Sequence, residues 1–299
     1  MLKTLLFTGA FGFLGKNIKT LLEEKYQVTT IGLSKLNNYQ VDIAEHIPTL
    51  SKPYDIILHA AGKAHSVPKT DAERKTFFDV NLQGTKNLCA ALEKSGLPHA
   101  FIFISTVAVY GCEKGENISE EHPLNGADPY ALSKKQAEDF LSDWSKRHNI
   151  KLSILRPALI AGPNAPGNLG AMVNGIKTGK YLSIAGGKAR KSVLMVQDIA
   201  HLVPLVADKG GIYNICDDIH PSFHQLELLT SKQLGQKPPV SIPRWLAGIM
   251  AAAGNFAGSK APLNTRKLQK ITTSLIFDNT KAKKTLGWEP LNVLENYKI

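Results

Sequence analysis

Tyr130 and Lys134 stand four residues apart in Asp128-Pro-Tyr-Ala-Leu-Ser-Lys134, a stretch that reads as the start of a helix. Residues at i and i+4 share one helical face, so a phenol and an ammonium point into the same space. A lysine cation about 4–5 Å away, at an effective dielectric near 20, stabilises a phenolate by roughly 3–4 kcal/mol. That is expected to lower a phenol pKa from about 10 by roughly two to three units. A tyrosine so tuned exchanges protons with a substrate hydroxyl near neutral pH. Upstream, Ile102-Phe-Ile-Ser-Thr-Val-Ala-Val-Tyr-Gly111 ends an apolar run in two hydroxyls, Ser105 and Thr106. Thr106 is suited to hold the same substrate oxygen beside Tyr130.

A second constellation binds rather than reacts. Gly9-Ala-Phe-Gly12-Phe-Leu-Gly15 follows a short β-prone run, Leu2–Thr8, and precedes helical spacing from Lys16 to Lys25. Glycines at this spacing allow a tight strand-to-helix turn and a close ligand approach to the main chain. The helix start beyond them offers free N–H groups and a positive dipole end to a pyrophosphate. This is the pattern of a dinucleotide site. An acid after the second strand usually holds the ribose 2′-hydroxyl of NAD, but here the run is Ile31-Gly-Leu-Ser34-Lys35. Ser34 and Lys35 suit a 2′-phosphate, which favours NADP(H), with NAD as the alternative. Asp42 and Ile43 are placed for the adenine edge. Ala60, Ala61 and Gly62, ending another strand, let a cofactor lie against the backbone.

The elements that must position these groups alternate. Val28–Leu33, Asp55–His59, Ala100–Ser105 and Lys151–Ile160 read as strands, and Ala72–Ser95 and Tyr130–Asn149 as helices, with Asn81 in a polar break. Strands alternating with helices specify a parallel sheet covered on both faces. The expected fold is α/β, a Rossmann-type doubly wound sheet. Residues 1–160 form its cofactor-binding domain, and 161–299 a smaller interleaved part for the substrate. The Pro-rich stretch 237–243 separates two helical segments, and Trp245 to Ala257 reads as a packed helix, with an interfacial anchor as the alternative.

Composition agrees: 299 residues, 43% apolar and 20% charged, excludes disordered and collagen-like chains. The net charge of +11 fits nucleic acid, an anionic membrane or small polyanions equally. Three scattered cysteines, Cys89, Cys112 and Cys216, lack metal-ligand spacing and read as reduced thiols of a cytoplasmic protein. The apolar start breaks at Gly9 without a cleavage signature, and no run is long enough to span a bilayer.

In sum of its motifs the chain strongly resembles the extended short-chain dehydrogenase/reductase family, in the branch that acts on nucleotide-diphosphate sugars. The matching elements are Gly9-x-x-Gly12-x-x-Gly15, His59-Ala-Ala-Gly62, Asn81-x-x-Gly84-Thr85, Ser105-Thr106 with Tyr110-Gly111, Tyr130-x-x-x-Lys134, Arg156-Pro157 and Leu286-Gly-Trp288. The resemblance implies Tyr130 as acid/base, Lys134 on the nicotinamide ribose, and Thr106 positioning the reacting oxygen. It also implies cofactor contacts from Phe11, Phe13, Leu14, Asn81, Ser105 and Pro157, and a homodimer built on the two long helices.

Departures from the family narrow the reaction. Dehydratases carry Asp-Glu after the catalytic threonine, whereas Val107 and Ala108 stand here. Those side chains also exclude the cysteine–histidine pair of multi-carbon epimerases and the acid of decarboxylases. Hydride chemistry at one carbon remains. The NADP-type loop, the short chain and the loop Gly62-Lys-Ala-His65, similar to that of reductases forming N-acetylated 6-deoxyhexoses, favour a 4-ketoreductase. A 4-epimerase is the alternative, and a non-catalytic dinucleotide binder a third reading. His65 is a candidate substrate contact, and by resemblance Asn168, Arg190 and Lys191 are diphosphate contacts. From Gly258 to Lys284 seven basic residues face one acid, Asp278. That run is expected to be a solvated face that can also attract anionic lipid; aromatics are not interleaved as in nucleic-acid readers.

Overall fold

The computed structural model describes residues 2–64, 66–256 and 263–299. Strands β1 (Thr4–Thr8), β2 (Gln27–Gly32), β3 (Tyr39–Gln40), β4 (Ile56–His59) and β5 (Ala100–Ile104) alternate with helices α1 (Phe13–Glu23), α2 (Asp71–Phe78) and α3 (Gly84–Ser95). Strand β6 (Gly115–Ile118), helix α4 (Pro129–His148) and strands β7 (Lys151–Pro157) and β8 (Leu159–Ala161) follow. The rest of the chain runs α5 (Gly167–Lys177), β9 (Ser183–Ile184), β10 (Val193–Met195), α6 (Val196–Lys209), β11 (Gly211–Ile215) and α7 (Phe223–Gln233). It ends with β12 (Ser241–Ile242), α8 (Arg244–Phe256), α9 (Thr265–Thr272), β13 (Leu275–Phe277), α10 (Thr280–Leu286) and α11 (Val293–Asn296).

Seven parallel strands form the main sheet in the order β11-β7-β5-β4-β1-β2-β3. Successive residues of each strand enter opposite cores. Leu5 and Phe7 pack with Ile18 and Leu22 of α1 and Val203 and Val206 of α6. Leu6 packs with Leu88 and Leu92 of α3 and Leu141 and Trp144 of α4. Burial on both faces explains why the strands read as continuous apolar runs. The order reverses between β1 and β4, which is where ligands of such sheets bind.

The sheet is the Rossmann-type one expected, and residues after 160 return to it: β11 pairs with β7, and α6 packs against α1 and β5. Beyond it, among the described residues, lie three two-stranded parallel pairs, β8–β10, β9–β12 and β6–β13. These strands of two to four residues carry too little periodicity to be read from sequence. The helix expected across 72–95 is divided by a π-helical turn, Asp79–Gln83.

The helix expected from Trp245 forms, with an unexpected orientation. The segment from Trp245 is helical, yet it packs by its small side: Ala247 and Ala251 are buried, while Trp245, Ile249 and Phe256 are 68%, 60% and 97% exposed. These three large side chains thus cover no core of the described chain.

Candidate active site

The glycine turn is built as the spacing requires. Gly9 has φ +77°, and a Cβ there would meet the backbone of Ala60 and Ala61 at 2.7–2.9 Å. At Gly15 a Cβ would stand 2.4 Å from the backbone of Gly9 and Ala10, so the helix start is pressed against the strand end. Gly12 is the N-cap of α1, with no side-chain cap and no acid in the first turn. The first N–H groups of α1 therefore face the switch point with the helix dipole behind them. Phe11 and Leu14, partly buried, pack toward one core and Phe13 toward another. A cradle that no Cβ can enter, ending in a bare helix start, fits the pyrophosphate of a dinucleotide.

Past β2, Ser34 Oγ accepts the Leu36 N–H at 3.3 Å and Lys35 is exposed. Asp42 turns its carboxylate onto the Ala44 N–H at 2.9 Å. Ile43 is buried under the position where Gly84 would carry a Cβ, 3.3 Å away.

The floor of the site is a line of directed hydrogen bonds. Thr8 Oγ1 accepts the Ala61 N–H at 2.9 Å, so its proton goes to His59 Nδ1 at 2.7 Å. His59 Nε2 then carries the hydrogen and donates to Thr85 Oγ1 at 2.9 Å, and Thr85 donates to the Asn81 carbonyl at 2.7 Å. Burial and the neighbouring Lys134 push His59 down to about 3, so the ring is neutral, as this chain of donors demands. Asn81, buried in the π-helical turn, accepts the Lys63 N–H at 2.8 Å and donates to the Lys63 carbonyl at 3.1 Å and to Ser133 Oγ at 2.8 Å. The polar break in the sequence thus joins the 60–63 loop to α4. Gly62 lies under it, where a Cβ would reach Asn81 Oδ1 at 3.0 Å and Lys134 Nζ at 3.1 Å.

Tyr130 is set in the first turn of α4 by its cap. Pro129 opens the helix, and Asp128 Oδ1 accepts the N–H groups of Tyr130 and Ala131, each at 3.1 Å. The phenol lies beside the side chain of Thr106, whose Oγ1 accepts the Ala108 N–H at 3.1 Å. The Lys134 amine, 4% exposed, donates to the Ile104 carbonyl at 2.8 Å and lies 4.5 Å from the Phe103 ring centroid. The electrostatics differ from the expectation of a lowered phenol. Burial pushes Tyr130 up to about 12, against the Thr106 side chain beside it, and Asp128 adds to the rise. Burial likewise pulls Lys134 down to about 8, against Glu138. The cost of desolvating a phenolate in this buried place outweighs the attraction of the cation four residues away.

Beneath this pair runs a buried network that sequence reasoning left without a role. Glu138 accepts two hydrogen bonds from Arg156, at 3.1 and 2.6 Å, and a very short one from Ser105. Arg156 also donates to Tyr110 Oη at 2.9 Å, and Tyr110 donates to Asn214 Oδ1 at 2.6 Å. The Ser105 hydroxyl is therefore committed to Glu138, one helical turn beyond Lys134. Pro157 ends β7 in the core beside it. Glu138 carried no visible signal, because a glutamate in mid-helix reads as a solvated residue.

At the substrate end the candidates separate. Asn168 is exposed at the second residue of α5. Arg190 donates to the carbonyls of Ile219 at 2.9 Å and His220 at 3.1 Å, which holds its guanidinium on that loop. Lys191 is lowered to about 8, first by burial and then by Lys270; two cations meeting in a partly buried place suit an anion between them. His65 lies outside the described residues.

Residues 5–216 match the family model described as the NAD dependent epimerase/dehydratase family. The chain belongs to that family. It is therefore an NAD(P)-dependent enzyme of the nucleotide-sugar epimerase and reductase group. The N-acetyl-alpha-D-glucosaminyl-diphospho-ditrans,octacis-undecaprenol 4-epimerase of Escherichia coli O157:H7 is 30% identical over 237 residues, 76% of this chain and 70% of that protein. The GDP-6-deoxy-D-mannose reductase of Pseudomonas aeruginosa is 29% identical over 251 residues, 77% of this chain and 80% of that one. Among solved structures, RMD from Pseudomonas aeruginosa complexed with NADPH shares the fold with a TM-score of 0.75 at 20% identity, covering 99% of this chain and 95% of that one.

Proposed function

We propose that this enzyme reduces the C4 ketone of a nucleotide-linked 4-keto-6-deoxyhexose with NADPH, in the synthesis of a surface-polysaccharide sugar. Tyr130 and Thr106 support chemistry at one carbon, since Val107 and Ala108 beside them offer no second acid or base. The observation that carries the choice of reduction is the loop after β2. It has no acid from Leu33 to Val41, and Asp42 beyond it is occupied by the Ala44 N–H. A 2′-phosphate meets Ser34 and Lys35 without repulsion, as an exchangeable reductant requires.

Gly9, Gly12 and Gly15 would hold the pyrophosphate, and Lys134 the nicotinamide ribose. The bound cofactor supplies a hydride equivalent to C4. Tyr130 Oη gives its proton to the C4 oxygen as charge develops there, and Thr106 Oγ1 holds that oxygen in line. At neutral pH the phenol, at about 12, is loaded with its proton, the state that reduction needs. Lys134 is cationic below about 8 and stabilises the phenolate left behind. Lys191 and Asn168 would contact the substrate diphosphate. The division into a cofactor half, 1–160, and a substrate half, 161–299, and a homodimer through α3 and α4 in the cytoplasm belong to the same reading.

The test is to mix the protein with NADPH and such a 4-keto sugar nucleotide. Stoichiometric oxidation of NADPH, lost in Tyr130→Phe, is expected. Similarity to the E. coli 4-epimerase favours a second reading, a 4-epimerase acting on a sugar nucleotide or a polyprenyl-diphosphate sugar. Sugar interconversion without net NADPH consumption, with a cofactor that survives gel filtration, would replace the first reading by that one.

A further inference from the structure

Helix α8 is amphipathic in the reverse of the usual sense for a globular domain. Its buried residues are Ala247 and Ala251, while the large ones look outward. At 100° per residue, Trp245, Ile249, Ala252 and Phe256 fall within about 60° of one another, and all four are exposed. Val240, just before the helix, is 71% exposed. A contiguous apolar patch of this kind marks a contact site rather than scattered surface residues.

The charge around it selects the partner. Between Glu227 and Asp278 the sequence holds no acid, whereas Lys232, Lys237, Arg244, Arg266 and Lys270 are spread along it. Helix α9 packs on α8 and is clamped to it by Asn255, which donates to Thr265 Oγ1 at 2.8 Å and accepts the Thr265 N–H at 3.1 Å. No residue of α9 is buried; its Arg266 approaches Glu113 at 3.5 Å on the surface. An exposed Trp, Ile and Phe face on a stretch of sequence that carries cations and no acid matches the surface of an anionic bilayer. A second copy of this positively charged chain would bring like charge against like. Among the described residues no helix is long and apolar enough to cross a membrane, so the contact lies along the surface.

We infer that α8 and α9 form an interfacial docking element that seats this enzyme on an anionic membrane through Trp245, Ile249 and Phe256. Trp sits at the headgroup level of such interfaces, and arginine and lysine add attraction that salt weakens. Neither helix carries Tyr130 or Lys134, and Lys270 of α9 lies beside Lys191, so the serine substitutions on α8 are the ones that separate docking from catalysis.

The three tryptophans make the test direct. Trp144 and Trp288 are 1% and 3% exposed, against 68% for Trp245, so a change in emission on adding lipid reports Trp245. Vesicles of phosphatidylglycerol and phosphatidylcholine should co-sediment the full-length protein and shift its emission to the blue, and pure phosphatidylcholine should do so at least tenfold less. Trp245→Phe should abolish the shift and keep most of the sedimentation. Ile249→Ser with Phe256→Ser, and separately Arg244→Gln with Lys270→Gln, should each weaken partitioning tenfold or more. The serine pair should leave turnover of a soluble substrate unchanged. Absence of sedimentation with anionic vesicles overturns the inference, as does binding that neither pair of substitutions weakens. Conversion of a dimer into monomers by the serine pair, in a protein that ignores vesicles, would assign the face to self-association instead. Vesicle binding is read without substrate, so its failure leaves the proposed reaction standing, and failure of the reaction leaves docking standing.

Discussion

The phenol of Tyr130 lies beside the Thr106 side chain, while the amine four residues along the same helix, that of Lys134, is turned to the Ile104 carbonyl. Two hydroxyls thus share one place, with the cation beneath them against Phe103. Removing either hydroxyl removes a proton path or a positioning contact. Tyr130→Phe is expected to lower kcat about 10²–10⁴-fold, and Thr106→Val by about 10²-fold, with the cofactor Kd nearly unchanged. Steady-state kinetics with cofactor binding measured separately checks both.

The pH dependence follows from Lys134. With its amine at about 8, reduction is expected to decline as pH rises through that value and the charge beneath the phenol is lost. Lys134→Arg should carry the decline to higher pH, because guanidinium stays charged. Tyr130, at about 12, keeps its proton throughout this window. A profile flat to pH 10 in the wild type would contradict the assignment.

Lys35→Glu should turn the cofactor preference. A carboxylate at this exposed loop position repels a 2′-phosphate and can bind a ribose hydroxyl. The ratio of kcat/KM for NADPH over NADH should fall roughly tenfold or more, about 1.4 kcal/mol.

Glu138 and Arg156 face each other with side chains 3% exposed. Glu138→Gln leaves Arg156 buried without its countercharge and is expected to cost about 3–5 kcal/mol. Glu138→Leu combined with Arg156→Met should recover much of that loss. Urea unfolding of the three proteins measures the difference.

His59, neutral in the fold to about 3 against an ordinary 6.5, predicts an acid-side effect. Between these values the unfolded chain takes up a proton that folded His59 refuses, so this residue's contribution to stability falls as pH drops. Asp198 and Asp217, raised to about 7 and about 6 by burial, act in the opposite sense over part of that range. The comparison is therefore wild type against His59→Gln, whose difference in unfolding free energy should shrink from neutral pH toward about 4.

Local patterns carried much of this protein. Continuous apolar runs separated by helical spacing specify a doubly covered parallel sheet, because burial on both faces leaves no polar alternation. Three glycines before a helix specify the turn, since only a missing Cβ lets Gly9 and Gly15 approach the backbone beside them. Asp128-Pro129 announces the cap that sets Tyr130, and the acid-free loop after β2 is legible directly. What depends on residues far apart in sequence was not legible. The π-helical turn that brings Asn81 to Ser133, the pairing of Glu138 with Arg156, and the capture of Arg190 by the 219–220 carbonyls all require the folded chain. So did the protonation states: spacing gives the distance between Tyr130 and Lys134 along one helix but not the burial around them, and burial decides which form of each is stable. Trp245 makes the same point from the surface, because an apolar helix reads alike whether its large side chains face a core or the solvent, and only tertiary packing chose the latter.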